Sequence, residues 1–291
     1  MLRPFTLHEP TTVAEASSLL TQHGEAARLY AGGTELVLVM KQGLAQYAHL
    51  VNVKRIPGLS GLSQDGGVLH IGAGTTHRAI ERSPLVRDRL PGLMTLARGV
   101  ANVRVRNVGT LGGNLAFAEP HADPGTLLLA LAACIRAQRG ERVRRIPLGE
   151  FFVDAYTTAL EPDEVLMEVE VPLPPPGTAA VFLKFGFLER PSVNVAVVLS
   201  GDDGTVREAR VAVGCVGPRP VRCSRAEASL VGVPLREIPP AAQAAGAHAA
   251  QEIDPLEDLH GPADFKRHIT AVLAQRALVA AAAQLGSGDR G

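Results

Sequence analysis

Tryptophan is absent and aromatic residues make up only 4% of the chain, which leaves little from which to build a stacking platform for single-stranded nucleic acid. Net charge is zero, with 29 Lys plus Arg against 29 Asp plus Glu, so no overall field points to nucleic acid or to a membrane surface. Only four of the cations are lysines, a compositional bias without functional content. The three cysteines, Cys134, Cys215 and Cys223, are odd in number and form no C-x-x-C pair. They exclude a disulfide framework and a four-Cys iron–sulfur cluster, and they fit a reducing, cytoplasmic compartment. The opening "MLRPFTLHEPTTVAEASSLL" has no apolar run between a basic start and a small-residue cleavage site, so no secretory signal is expected. No window holds the roughly 18 uninterrupted apolar residues of a membrane span, and none is expected. There is no G-x-S-x-G, no H-E-x-x-H, and no Cys with an obvious His partner. Nor is there a G-x-x-x-x-G-K-[ST] loop or a G-x-G-x-x-G ahead of a helix.

What is present is a chain of 291 residues, 46% hydrophobic, enough for two domains that each bury a core. "TTVAEASSLLTQHG" reads as a helix capped by Thr12 and ended by Gly24. "ARLYAGGTELVLVMKQG" passes from a strand through two glycines into a helix from Thr34, and "GVLHIGAGTTHRAIE" repeats that plan. "NVRVRNV" reads as strand-like, with Arg104 and Arg106 on one face. "PGTLLLALAACIRAQRG" reads as one helix with Pro124 in its first turn and Asp123 as N-cap. "PDEVLMEVEV" alternates as a strand and runs into the proline-rich stretch Pro172 to Gly177, where the domain boundary is expected. Beyond it "AVFLKFGF", "VNVAVVLS" and "VREARVAVGCVG" read as three strands, the last two joined by "GDDG" as a hairpin. An Ala-rich helical tail, broken by Pro239-Pro240 and Pro255, completes a second α+β domain. The expected division is residues 1–175, with subdomains of about 1–56 and 57–175, and residues 176–291.

Three Gly-rich turns carry chemical information: Ala31-Gly32-Gly33-Thr34, Ile71-Gly72-Ala73-Gly74-Thr75-Thr76, and Thr110-Leu111-Gly112-Gly113-Asn114. Without a Cβ, successive main-chain N–H groups converge and a ligand can approach the backbone closely. Each turn alone is equally well a tight bend, but three in one domain favour a pyrophosphate held by main-chain donors. Glu119, His121 and Asp123 alternate as metal ligands could, yet Pro120 and Pro124 make this a loop, and no metal site is assigned.

These residues resemble a known family. "AGGTEL", "IGAGTTH" and above all "VRNVGTLGGNLAFAEPHADP", with Asp123 nine residues beyond Asn114, are similar to the FAD-binding medium subunit of the molybdenum hydroxylases. The xanthine and carbon monoxide dehydrogenases are its type members, and the resemblance spans nearly the whole chain. It implies an α+β fold: a two-subdomain FAD domain of the p-cresol methylhydroxylase type, then a smaller C-terminal domain with a three-stranded antiparallel sheet and helices. It implies FAD, held non-covalently, with contacts from Leu29, Tyr30, Ala31, Gly32, Gly33, Thr34, Glu35 and Leu36, and from Thr110, Leu111, Gly112, Gly113 and Asn114. Asp123 would touch the dinucleotide, Leu166 would lie against it, Val100 would sit beside the adenine, and Lys184 near the isoalloxazine. Glu35 stands where the family more often has Asp or Ser, and Asn194 where many members carry Asp. The resemblance also implies an iron–sulfur small subunit and a molybdenum-cofactor large subunit as partners, in a dimer of heterotrimers. Two other readings of the residues are a free-standing flavin oxidoreductase and a flavin-free assembly or scaffold protein.

Overall fold

The computed structural model describes residues 2–186 and 190–288. Its first unit alternates strand and helix: β1 (Thr6–His8), α1 (Val13–His23), β2 (Ala27–Tyr30), α2 (Leu36–Gln42) and β3 (His49–Asn52). The strands form a parallel sheet in the order β1-β3-β2. Parallel neighbours need a crossover, which α1 and α2 supply. Thr12 caps α1 by accepting from the Glu15 N–H, and Gly24 ends it. Helix α2 starts two residues later than Thr34, and Gly43 closes it in the left-handed region.

The second unit is built around an antiparallel sheet. It contains β4 (Leu62–Asp65), β5 (Val68–Gly72), α3 (His77–Arg82), α4 (Pro84–Arg89), α5 (Pro91–Gly99), α6 (Val103–Val108), α7 (Leu111–Phe117) and α8 (Pro124–Ala130). There follow β6 (Cys134–Arg139), β7 (Arg142–Pro147), α9 (Leu148–Phe151), β8 (Phe152–Asp154), β9 (Thr157–Thr158) and β10 (Val165–Pro172). The sheet order is β4-β5-β10-β6-β7. Two sequence readings are corrected here. The helix expected through "CIRAQRG" stops at Ala130, and Cys134–Arg139 is strand β6, paired with β10 and β7. Its inward residues Ile135 and Ala137 are fully buried, a period of two that the Ala-rich run before it conceals. The strand expected at "NVRVRNV" is helix α6, capped by Asn102. Arg106, far from being a plain exposed residue, hydrogen-bonds Glu81 and the carbonyls of Val100 and Ala101.

The third unit is a meander, β11 (Thr178–Phe185), β12 (Val193–Asp202), β13 (Thr205–Gly214) and β14 (Val221–Arg222), covered by α10 (Ser224–Ala228), α11 (Ile238–Glu252) and α12 (Ala263–Gly288). The sheet therefore has four strands, not three: β14 is only two residues long and follows Pro218 and Pro220, too short to show alternation. Asp203 and Gly204 make the β12–β13 turn, both with positive φ. Pro239 and Pro240 open α11 rather than interrupt it, where a missing N–H costs nothing. Phe187, the end of the run read as the first strand of this unit, and residues 289–291 of the tail lie outside the described residues. Among the described residues α12 is the one helix long and apolar enough to cross a membrane by length and composition. Its Ala274, Ala277, Leu278 and Ala281 are fully buried in the third unit's core, so its apolar face is already spent. A larger core fills the first two units and takes in Ala196, Val198 and Ala212 from the far face of the β12–β13 sheet.

Candidate functional site

A cleft of about 690 Å³ lies between the first two units, within the size range of cofactor sites. Its walls are the β2–α2 loop, the turn after β5 at Ala73 and Gly74, the start of α7, and the segment from Tyr156 to Leu166. Every residue expected to hold the cofactor lines it except Tyr30, Leu111, Asp123 and Lys184.

The three glycine turns do different work. In the β2–α2 loop, a Cβ on Gly32 would lie 2.3 Å from the Val108 carbonyl oxygen. Gly33 has φ +71°, and its Cβ would lie 2.4 Å from the Tyr30 ring. The loop is thus wedged between its own strand and α6, and only glycine fits. Among the described residues, the backbone N–H groups of Gly32, Gly33, Thr34 and Glu35 donate to no protein acceptor. All four residues line the cleft.

At Thr110–Asn114 the geometry is that of a helix start. Thr110 caps α7 by accepting from the Gly113 N–H at 3.0 Å. The Leu111, Gly112 and Asn114 N–H groups donate to the carbonyls of Thr75, Ala73 and Thr110. In this turn, read from sequence as a set of ligand donors, the N–H groups of Leu111 to Asn114 are satisfied internally. Gly112 is needed for packing: a Cβ there would sit 2.5 Å from the Ala73 side chain and 2.7 Å from its backbone. The middle turn behaves likewise, with the Ala73, Gly74 and Thr75 N–H groups bonded to Met167, Leu59 and Gly72.

Two buried polar atoms on the cleft wall lack partners, Asn114 Oδ1 and His77 Nδ1. A buried polar group without a hydrogen bond is costly, and neither atom finds a partner within the protein. Burial, helped by the nearby Arg106 charge, lowers the His77 pKa to about 4, so its imidazole is neutral. His77 was passed over in the sequence as the residue after the capping Thr76; burial is what singles it out.

Asp123 and Lys184 stand behind the cleft, joining the second and third units. Asp123 is 6% exposed, and its side chain makes no N-cap bond to α8. Lys184 Nζ lies 2.5 Å from Asp123 Oδ2 and donates to the Gly99 carbonyl at 2.8 Å, next to Val100. Asn194 Nδ2 donates to Asp123 Oδ1 at 3.1 Å and its Oδ1 accepts from Thr126 at 2.7 Å. Burial pushes the Asp123 pKa up, and the Lys184 charge opposes that. Leu111 is buried in the core. Tyr30 packs beneath Gly33, with Lys54 Nζ 4.6 Å above its ring.

A second network that no sequence pattern revealed ties the loop to the third unit. Arg190 hydrogen-bonds Glu35 at 3.0 Å and pairs with Glu119, which also accepts from the Tyr156 hydroxyl at 2.8 Å and is bonded to His121. Burial alone would raise the Glu119 pKa, but His121, Arg190 and Tyr156 together hold it at about 2.

The cleft lining contains no Cys, Ser or Lys among the described residues. Free main-chain donors and apolar walls at Leu20, Leu29, Val53 and Leu166 suit a long ligand with an anionic middle and flat ends. FAD meets that description.

Comparison with known proteins agrees. Residues 3–174 match the family described as FAD binding domain in molybdopterin dehydrogenase, and residues 190–281 match the CO dehydrogenase flavoprotein C-terminal domain. The chain is 36% identical to the carbon monoxide dehydrogenase medium chain of Hydrogenophaga pseudoflava, over 95% of this chain and 96% of that one. It is 27% identical to the xanthine dehydrogenase FAD-binding subunit of Escherichia coli O157:H7, over 96% of each chain. Among solved structures, carbon monoxide dehydrogenase from Hydrogenophaga pseudoflava superimposes with a TM-score of 0.93 at 37% identity, covering 97% of this chain and 99% of that one. Quinoline 2-oxidoreductase from Pseudomonas putida 86 gives 0.89 at 30%, covering 98% and 99%.

Proposed function

Because this chain belongs to the FAD-binding subunits of the molybdenum hydroxylases, an oxidoreductase family that includes the carbon monoxide and xanthine dehydrogenases, we propose that it is the outlet of a larger enzyme. Electrons released at a molybdenum centre on a large subunit would cross iron–sulfur clusters on a small subunit and leave through this chain to NAD, a quinone or oxygen. The FAD it binds supplies two-electron acceptance with single-electron release; the protein supplies position and electrostatics.

The observation that carries this reading is the run from Gly32 to Glu35, which lines the cleft and whose N–H groups donate to no protein acceptor among the described residues. We assign the pyrophosphate to that run, and the rest of the dinucleotide to Leu29, Ala31, Leu36, Val100, Thr110, Gly113, Asn114 and Leu166 along the cleft. Tyr30 and Leu111 shape the wall from behind, and Gly112 lines it while packing against Ala73. Asp123 and Lys184 act across the boundary at about residue 175, bracing the C-terminal unit, residues 176–291, against the FAD domain of subdomains 1–56 and 57–175. The clusters belong to partner chains, since the three cysteines are too few for a four-Cys cluster. Burial raises the Cys215 thiol well above its ordinary value and the Cys223 thiol to about 12, so neither offers a ready thiolate. The assembly is a cytoplasmic dimer of heterotrimers, and no motif for covalent flavin attachment surrounds His77 or His121.

The test is to express the chain alone and with its partners. Alone it should bind FAD, release it into the supernatant on acid precipitation, and show no substrate-dependent dye reduction; the complex should show it. Dye reduction by the isolated chain, free of metals, would replace this reading with a free-standing oxidoreductase. Failure to bind FAD would leave a scaffold.

A further inference from the structure

His8, His23 and His49 come together on the outer face of the parallel sheet, with one ring nitrogen from each within 4.8 Å of the others. The register explains the meeting. Thr6 is paired with His49 and His8 with Val51, so His8 and His49 share the sheet face that α1 covers. His23 is the last residue of α1 and drops onto the same spot. The His23 and His49 rings stack with centroids 3.7 Å apart, and His8 Nε2 lies 3.0 Å from His49 Nδ1. All three side chains are half-buried, open to solvent on one side.

We propose that these three imidazoles form a binding site for a borderline divalent transition metal, Zn²⁺ or its neighbours Ni²⁺ and Cu²⁺, with water in the remaining position. Neutral imidazole is a preferred ligand of these ions, and three of them plus water complete a tetrahedron. Metal–nitrogen bonds of about 2.1 Å set the ligand nitrogens about 3.4 Å apart. The cluster reaches this spacing when the His23–His49 stack opens by rotation about χ2, a soft torsion for histidine. His23 is the last residue of α1, and the negative end of the helix dipole favours a cation there. A bound ion would clamp β1, β3 and α1 together, one residue before Gly24 and Glu25 enter the cleft wall. The ligands are spread over residues 8, 23 and 49, without a recognisable metal-binding spacing, and only the sheet register unites them.

The experiment uses the full chain, freed of metal with a chelator and carrying FAD. Zn²⁺ should bind saturably at one site per chain and raise the melting temperature, and Co²⁺ should give the visible band of a tetrahedral nitrogen site. Each of H8Q, H23Q and H49Q should weaken binding by about tenfold or more while FAD content is kept. The control H70Q, in the other cluster of potential ligands with Glu168 and Glu170, should bind as the parent does. Parent-like affinity in the three triad variants, loss of binding in H70Q, or a Co²⁺ spectrum without the tetrahedral band on the unmodified chain would each overturn the proposal.

Discussion

A methyl group at position 32 has nowhere to go. It would stand 2.3 Å from the Val108 carbonyl oxygen and 2.8 Å from the Gly109 Cα, so Gly32→Ala must push the loop off α6 and misplace the free N–H run. We expect FAD content after purification to fall severalfold, with a smaller change in apoprotein melting. Gly113→Ala should behave differently. Its Cβ would meet only the Thr110 hydroxyl at 2.7 Å, so it disturbs the cap of α7, costs about 1 kcal/mol, and lowers FAD affinity less than Gly32→Ala does. Flavin fluorescence titration of the two variants, with thermal melts of their apoproteins, separates cradle from cap. His77 gives a pH prediction. Its folded pKa of about 4 lies below the ordinary 6.5, so between these values the unfolded chain binds the proton and the folded chain does not. The stability contributed by neutral His77 is therefore complete above about pH 6.5 and is lost as pH falls toward 4, amounting to about 3 kcal/mol at most. In His77→Gln the denaturant-unfolding free energy of the apoprotein should fall less steeply across that interval. An unchanged slope would mean that His77 does not titrate as buried.

Paired starts of α3 and α7 form one side of the cleft. Thr76 and Thr110 bridge one another, and each accepts from the N–H three residues on, of Ala79 and Gly113. Thr110→Val keeps the shape and removes the acceptor; it should cost about 1 kcal/mol in chemical denaturation and loosen the FAD site modestly. Elements with strong end signals were readable from sequence: α1 between Thr12 and Gly24, the β12–β13 hairpin at Asp203-Gly204, and the strand entering Pro172. Those without them were not. "CIRAQR" continues an Ala- and Leu-rich run without a glycine or proline break, and it becomes a strand because β10 and β7 lie on either side to pair with it. "VRVRNV" alternates like a strand but has no sheet edge to join, and Asn102 starts it as a helix.

At the scale of the whole molecule, Lys184 on β11 reaches into the second unit and neutralises Asp123. Lys184→Met should cost about 3–5 kcal/mol, because it leaves a carboxylate buried without its counter-charge. Lys184→Met combined with Asp123→Asn should regain much of that loss, since the remaining group can stay hydrogen-bonded without a charge. Equal losses in the single and double variants, read from apoprotein unfolding, would show that the lysine acts by packing alone. Because the pair lies behind the cleft, any loss of FAD in these variants should follow loss of docking between the units.

Much about this protein was settled by local chemistry that a sequence displays. Glycine pairs, capping threonines and the proline-rich break depend on a few adjacent residues, and they pointed to an α+β chain with a main-chain pyrophosphate site; the flavin and the partner-borne clusters came from the resemblance of the Gly-rich segments to the molybdenum hydroxylase family. What required the tertiary structure was the partnership of each group. The Gly32–Glu35 and Thr110–Asn114 turns look alike as strings, yet one keeps its N–H groups free while the other spends them on Thr75, Ala73 and Thr110. Asp123 reads as an N-cap and becomes half of an inter-unit ion pair; Arg190 and the three histidines at 8, 23 and 49 carry no motif at all. The physical reason is that a hydrogen bond or ion pair depends on distance in space, and the residues that satisfy these donors and charges are separated along the chain by up to 155 positions, as Arg190 is from Glu35.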